Sequence, residues 1–126
     1  MKLNMDCARE VLLAAENYTV KTPGNVDALR SLLPQYEREI IQYACDMLWQ
    51  IRYIECKVKH FTDKPIRVIE IQQISMVGIQ FLNLIRNPVK WEIIKRRCEE
   101  LDDFSIMTIC QIAQSVTTEF NASVLG

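Results

Sequence analysis

Glycine is scarce in this chain, occurring only at positions 24, 78 and 126. A protein so poor in glycine cannot build the glycine-rich loops whose backbone amides cradle nucleotide phosphates. Histidine occurs once, as His60, which rules out the usual His-pair metal spacings and leaves no cysteine with a histidine beside it in sequence. The five cysteines (Cys7, Cys45, Cys56, Cys98, Cys110) are scattered, odd in number and never form C-x-x-C, so neither a disulfide framework nor a zinc ribbon is expected. No apolar run approaches the length of a membrane span. The start, Met1-Lys2-Leu3-Asn4-Met5-Asp6, meets polar and charged residues at once and does not read as a signal peptide. The expectation is a cytoplasmic protein with no membrane, metal or cofactor. An enzyme is the least favoured class. The carboxylate pairs Glu99/Glu100 and Asp102/Asp103 are adjacent near a helix end, where capping and solvation explain them better than acid–base work.

What is present is an ordinary globular composition: 126 residues, 49% apolar and 25% charged, enough to bury a core as one domain. The net charge of −1 hides an asymmetry. Residues 52–97 carry ten basic side chains against four acidic ones, whereas residues 98–126 carry five acidic and no basic ones. Such a basic block suits a phosphate backbone, and equally a solvated surface.

Taken in order, Asn4 predicts the cap of a first helix, with Met5, Ala8, Val11, Leu12 and Ala15 at helical spacing. Tyr18–Lys21 is short and β-prone, and reads as a third strand on a hairpin edge. Asn25 caps a second helix over Val26–Leu33, which Pro34 ends. A third helix over residues 37–51 buries Ile41, Ala44, Cys45 and Leu48 and runs into a hairpin. Its strands are residues 53–60 and 66–74, and its tip is Phe61-Thr62-Asp63-Lys64-Pro65. The apolar phase changes between Ile66, Val68, Ile69 and Ile71, which predicts a bulge or a strand apolar on both faces. Ser75 caps a fourth helix, in which Gly78 permits close packing, and Asn87-Pro88 restarts a fifth. Asp102-Asp103 breaks the fifth helix and offers a cap for a last helix from Phe104 to about Phe120, followed by a loose tail. Its stripe of Ile106, Ile109, Ala113, Val116 and Phe120 suits packing on its own domain or, alternatively, a homodimer seam.

Helix, helix, hairpin is the order of a winged helix-turn-helix. The expected fold is α+β and mostly helical: a winged helix-turn-helix over residues 1–74 with a two- or three-stranded wing, and C-terminal helices over 75–126 packed on it. Double-stranded DNA is then the leading partner. Arg38 and Gln42 on the third helix are the candidate base readers, and Lys57, Lys59, Lys64 and Arg67 on the hairpin the candidate phosphate contacts. The third helix argues partly against this, because Glu37, Glu39 and Asp46 outnumber Arg38. The alternative is a protein–protein interaction module whose contact pair is Tyr43 and Trp49 on the same helix.

Several segments together resemble the YjcQ-like family of small bacterial and prophage proteins. They are residues 1–9, Glu37-Arg38-Glu39-Ile40-Ile41, Tyr53-Ile54-Glu55-Cys56-Lys57, residues 78–87, Trp91 and Phe104-Ser105-Ile106. The resemblance implies a winged-helix domain, a phage or mobile-element setting and no assigned activity. It also implies glycine where Arg52 stands, so the junction between the third helix and the hairpin is expected to be built differently here.

Overall fold

A computed structural model describes residues 2–125, with the side chains of residues 123–125 left aside. Among the described residues there are six helices and one three-stranded antiparallel sheet: α1 (Met5–Ala15), β1 (Gly24–Asn25), α2 (Val26–Leu32), α3 (Arg38–Gln50), β2 (Ile54–Lys59), β3 (Arg67–Ile74), α4 (Met76–Ile85), α5 (Pro88–Leu101) and α6 (Ile106–Leu125). The fold is α+β and mostly helical. No described helix is long and apolar enough to cross a membrane. The chain divides into two compact units, Met1–Ile79 and Gln80–Gly126, with the boundary inside α4.

In the first unit the capping residues act as their chemistry dictates. Asn4 Oδ1 accepts the Cys7 N–H at 3.0 Å and Asn25 Oδ1 the Ala28 N–H at 2.7 Å, each meeting an amide that the first helical turn leaves unpaired. Apolar residues at helical and strand spacing supply the core: Val11 and Leu12 of α1, Leu29 of α2, Ile41, Ala44, Cys45 and Leu48 of α3, Ile54 of β2 and Ile71 of β3 are all buried. Each such aliphatic side chain contributes about 1.5–3 kcal/mol on leaving water.

The sheet order is β1-β3-β2, with Gly24 opposite Ile71 and Asn25 opposite Glu70. The third strand therefore exists, but it is not Tyr18–Lys21. Thr19 and Thr22 exchange both backbone hydrogen bonds, at 3.2 and 3.1 Å, and their hydroxyls meet at 2.7 Å, closing a tight turn. That turn lays the Tyr18 ring over Gly24, where a Cβ would collide with it. Register shifts place Ile69 and Gln72 as the extra residues of β3, so the phase change in the sequence is bulging. The bulges let Val68 and Ile71 both face the core while Ile69 turns outward.

Arg52 corrects an expectation. It takes the left-handed conformation (φ 66°) that glycine would supply. Its N–H reaches the Trp49 carbonyl at 3.0 Å and the Tyr53 N–H reaches Leu48 at 2.9 Å, the pair of bonds that closes a helix C-terminus before a reversal. The guanidinium lies 5.3 Å from the Trp49 ring centroid. Ser75 donates to the Arg52 carbonyl at 2.6 Å and also caps α4 by accepting the Gly78 N–H.

In the second unit, Asn87 caps α5 ahead of Pro88, and Asp102 (φ 51°) ends it in the same left-handed way as Arg52. The last helix begins at Ile106, later than expected. Ser105 Oγ accepts the Thr108 N–H, and Asp103 braces this cap through the Ser105 N–H and the Thr108 hydroxyl. It also continues to Leu125, where a loose tail was expected. Ile109, Ala113 and Val116 are fully buried, and α6 packs against α5 within one chain. Arg97 grips Glu119 through both terminal nitrogens, at 3.2 and 2.7 Å.

Candidate nucleic-acid interface

The core stripe of α3 fixes where its remaining side chains go. With Ile41, Ala44, Cys45 and Leu48 turned inward, Arg38 stands exposed in the first turn. Gln42 and Asp46, one turn apart, face β3 instead of solvent. Gln42 is only 5% exposed; its amide donates to the Val68 carbonyl and to Asp46, each at 2.9 Å. Asp46 in turn accepts the Val68 N–H at 2.8 Å. Both main-chain polar groups of Val68 are thus met by helix side chains instead of a neighbouring strand. Gln42 is accordingly removed from the base-reading set: its amide is committed inside the protein. Burial pushes the Asp46 carboxyl above its ordinary value, against the lowering effect of the Val68 and Gln42 hydrogen bonds and of nearby Arg67.

A groove of about 430 Å³ opens between the start of α2, the start of α3 and the hairpin. Four of the six DNA-contact candidates line it: Arg38, Gln42, Lys59 and Arg67, with Asp27, Phe61 and Ile69. Lys64 joins from the hairpin tip. Its ammonium lies 5.9 Å from the Phe61 ring centroid and that of Lys59 lies 5.3 Å away. Lys57 is exposed on the same strand as Lys59, opposite Glu70. The groove's two arginines are occupied: Arg38 Nε lies 3.1 Å from Asp27 and Arg67 3.5 Å from Glu39. Lys57, Lys59 and Lys64 hold no ion pair among the described residues.

The two aromatic candidates for a protein contact are not brought together. Tyr43 is half-buried in a groove of about 300 Å³ with Met47, Gln50, Pro65 and Ile66. Trp49, also half-buried, lines a different groove with Arg52, Cys56 and Gln72. The sequence reading passed over Phe61, Asp27 and Glu39 as site residues. Phe61 carried a signal, an aromatic between two lysines at a hairpin tip. Asp27 carried none, because its partner lies eleven residues away on another helix.

Burial raises the thiols of Cys7 to about 11 and Cys56 to about 12, and that of Cys45 higher still, which leaves them protonated at neutral pH. No three His, Cys, Asp or Glu side chains cluster as a metal site among the described residues.

These features define an α+β chain whose first unit carries a basic groove between a helix pair and a hairpin. It belongs to the family described as Hypothetical protein (DUF2513), matched over residues 2–103. That description names no activity: the family shown is an uncharacterised one, as the resemblance implied, and its description does not carry the YjcQ-like name. No curated protein and no solved structure matches the chain.

Proposed function

We propose that the protein is a winged-helix DNA-binding protein without catalytic activity, acting as a regulator in a phage or mobile-element setting. The observation that carries this reading is the convergence of Arg38 from α3 with Lys59 and Arg67 from the hairpin on one groove. Lys57 and Lys64 extend the same positive surface along the strand and over the tip. The helix pair, three-stranded sheet and hairpin support this reading, because in winged helices a helix approaches the major groove and the wing the backbone beside it. Of the acidic side chains of α3, Asp46 counts less than the sequence suggests, because it is turned toward Val68.

Fluorescence anisotropy with random duplex DNA at two salt concentrations tests the reading. The expected result is micromolar binding that weakens steeply with salt. Lys57→Ala and Lys59→Ala should each lower affinity on all sequences alike and reduce the salt slope by about one. Absence of binding at low salt overturns the reading, as does a slope indifferent to both substitutions.

One observation favours a second reading, a protein-interaction module: the groove of Tyr43, Met47, Pro65 and Ile66, whose lining is more apolar than that beside Arg38. Trp49 takes no part in it. Failure of DNA binding together with capture of a host protein that Tyr43→Ala abolishes would establish this module instead.

A further inference from the structure

We propose that Asp27 and Glu39 are internal competitors for phosphate, so that Arg38 and Arg67 engage a DNA backbone only after the hairpin lysines have docked it. This rests on the DNA-binding reading and adds what sets the affinity of that surface. Both arginines line the groove, and each already holds a carboxylate from a neighbouring helical turn, Arg38 at 3.1 Å from Asp27 and Arg67 at 3.5 Å from Glu39. A carboxylate draws on the same guanidinium charge and donors that a phosphate would use, so an arginine that is already paired offers a phosphate a weaker site.

The pairs are built to open. Arg38 is 52% and Asp27 81% exposed, and Arg67 is 39% and Glu39 61% exposed, the setting in which an ion pair contributes little stability. Opening them has a consequence, however. Asp27 sits in the first turn of α2 and Glu39 in the first turn of α3, so a displaced carboxylate stays within a Debye length of the arriving phosphate and repels it. Lys59 and Lys64 hold no ion pair among the described residues and are already arrayed on the Phe61 ring, whereas Lys57 lies opposite Glu70. Docking on the lysines therefore comes first, and the arginines add affinity only where the duplex reaches far enough into the groove to displace both carboxylates.

Asp27→Asn and Glu39→Gln keep shape and hydrogen-bonding capacity while removing charge. Each should raise affinity for random duplex DNA about 3- to 10-fold at low salt and steepen the log–log salt slope by up to about one. Glu119→Gln is the control. It removes one negative charge from the other compact unit, freeing Arg97 there, and should leave affinity unchanged. Circular dichroism on each variant checks that folding is retained. If Glu119→Gln strengthens binding as much as Asp27→Asn or Glu39→Gln, the effect is one of net charge and the competitor role is overturned. If the two groove variants leave affinity and slope unchanged while Lys59→Ala weakens binding, the DNA reading stands and the competitor role falls. If neither the wild-type protein nor any variant binds at low salt, both fall together.

Discussion

Asp46 on α3 accepts the Val68 N–H of β3 at 2.8 Å, and Gln42, one turn earlier, donates to the Val68 carbonyl at 2.9 Å. Two helix side chains thereby take the place of a strand beside β3. Asp46→Ala would leave the buried Val68 amide unpaired and should cost about 1–3 kcal/mol in denaturant titrations. Asp46→Asn keeps an acceptor oxygen and should be close to neutral at pH 7. The pH dependence has a definite sign. Burial raises the folded-state pKa of Asp46 above its unfolded value, so the folded protein holds this proton more tightly. Its contribution to stability is most favourable at acid pH and falls as pH rises through the raised value. Asp46→Asn should remove that component, so an unchanged pH–stability profile in this variant would count against the assignment.

How much of this was legible in the sequence follows from the range of the forces involved. Asn4, Asn25 and Ser75 act within a few residues of themselves, and their caps could be read directly. So could Gly78, whose packing role needed only a helix and a neighbour. The extra strand was misplaced because Tyr18–Lys21 has strand-like side chains, whereas the Thr19–Thr22 turn rests on reciprocal hydrogen bonds that propensity does not register. Gln42 was misjudged for a longer-range reason. A glutamine on a helix looks exposed until the fold brings Val68, twenty-six residues away, against it. The hairpin lysines of the candidate site were visible as a charge cluster, but the Arg38–Asp27 and Arg67–Glu39 pairs depend on which helix ends and strands the fold sets side by side.

Arg52 makes a separate test of backbone geometry. Its left-handed conformation costs an arginine about 1–2 kcal/mol relative to glycine. Stacking on Trp49 returns about 0.5–1 kcal/mol. Arg52→Gly should therefore stay within about 1 kcal/mol of the wild-type protein, since it relieves one term and gives up the other. Arg52→Val gives up the stacking and adds β-branching where φ is positive, and should cost about 2 kcal/mol. Urea midpoints of the two variants decide the matter; a valine variant at least as stable as the glycine one would contradict it.

Gly78 sits in α4, where alanine would ordinarily be the better helix former by about 1 kcal/mol. Here an added Cβ would run into the Tyr53 carbonyl oxygen and crowd the Ile74 side chain. That carbonyl accepts the Ser75 N–H at 3.0 Å, so it cannot move aside without loosening the start of the same helix. Gly78→Ala should destabilise by about 1–3 kcal/mol through overpacking, despite its favourable propensity. A thermal midpoint raised by the substitution would show that the contact between α4 and the residue after Arg52 is looser than described.

Asp103 supplies a pH dependence of opposite sign in the second unit. The Thr108 hydroxyl and the Ser105 N–H both donate to its carboxylate, at 2.7 and 2.9 Å, and hold its pKa below the ordinary aspartate value. A carboxylate whose folded pKa is depressed adds stability that is present above its unfolded value and is lost as pH falls through the folded one. Because Asp103 is fully exposed, the effect should be local to the start of α6. Amide exchange at Thr108, whose N–H is held by Ser105 at 3.2 Å, reports it directly. Protection there should decline below about pH 4, where an unperturbed aspartate begins to take up its proton. Asp103→Asn should show weaker protection at neutral pH and little further loss on acidification. Ser105→Ala, which deletes the cap itself, should cost about 1 kcal/mol at any pH. If acidification erodes Thr108 protection equally in the wild-type protein and in Asp103→Asn, the carboxylate does not brace this helix start.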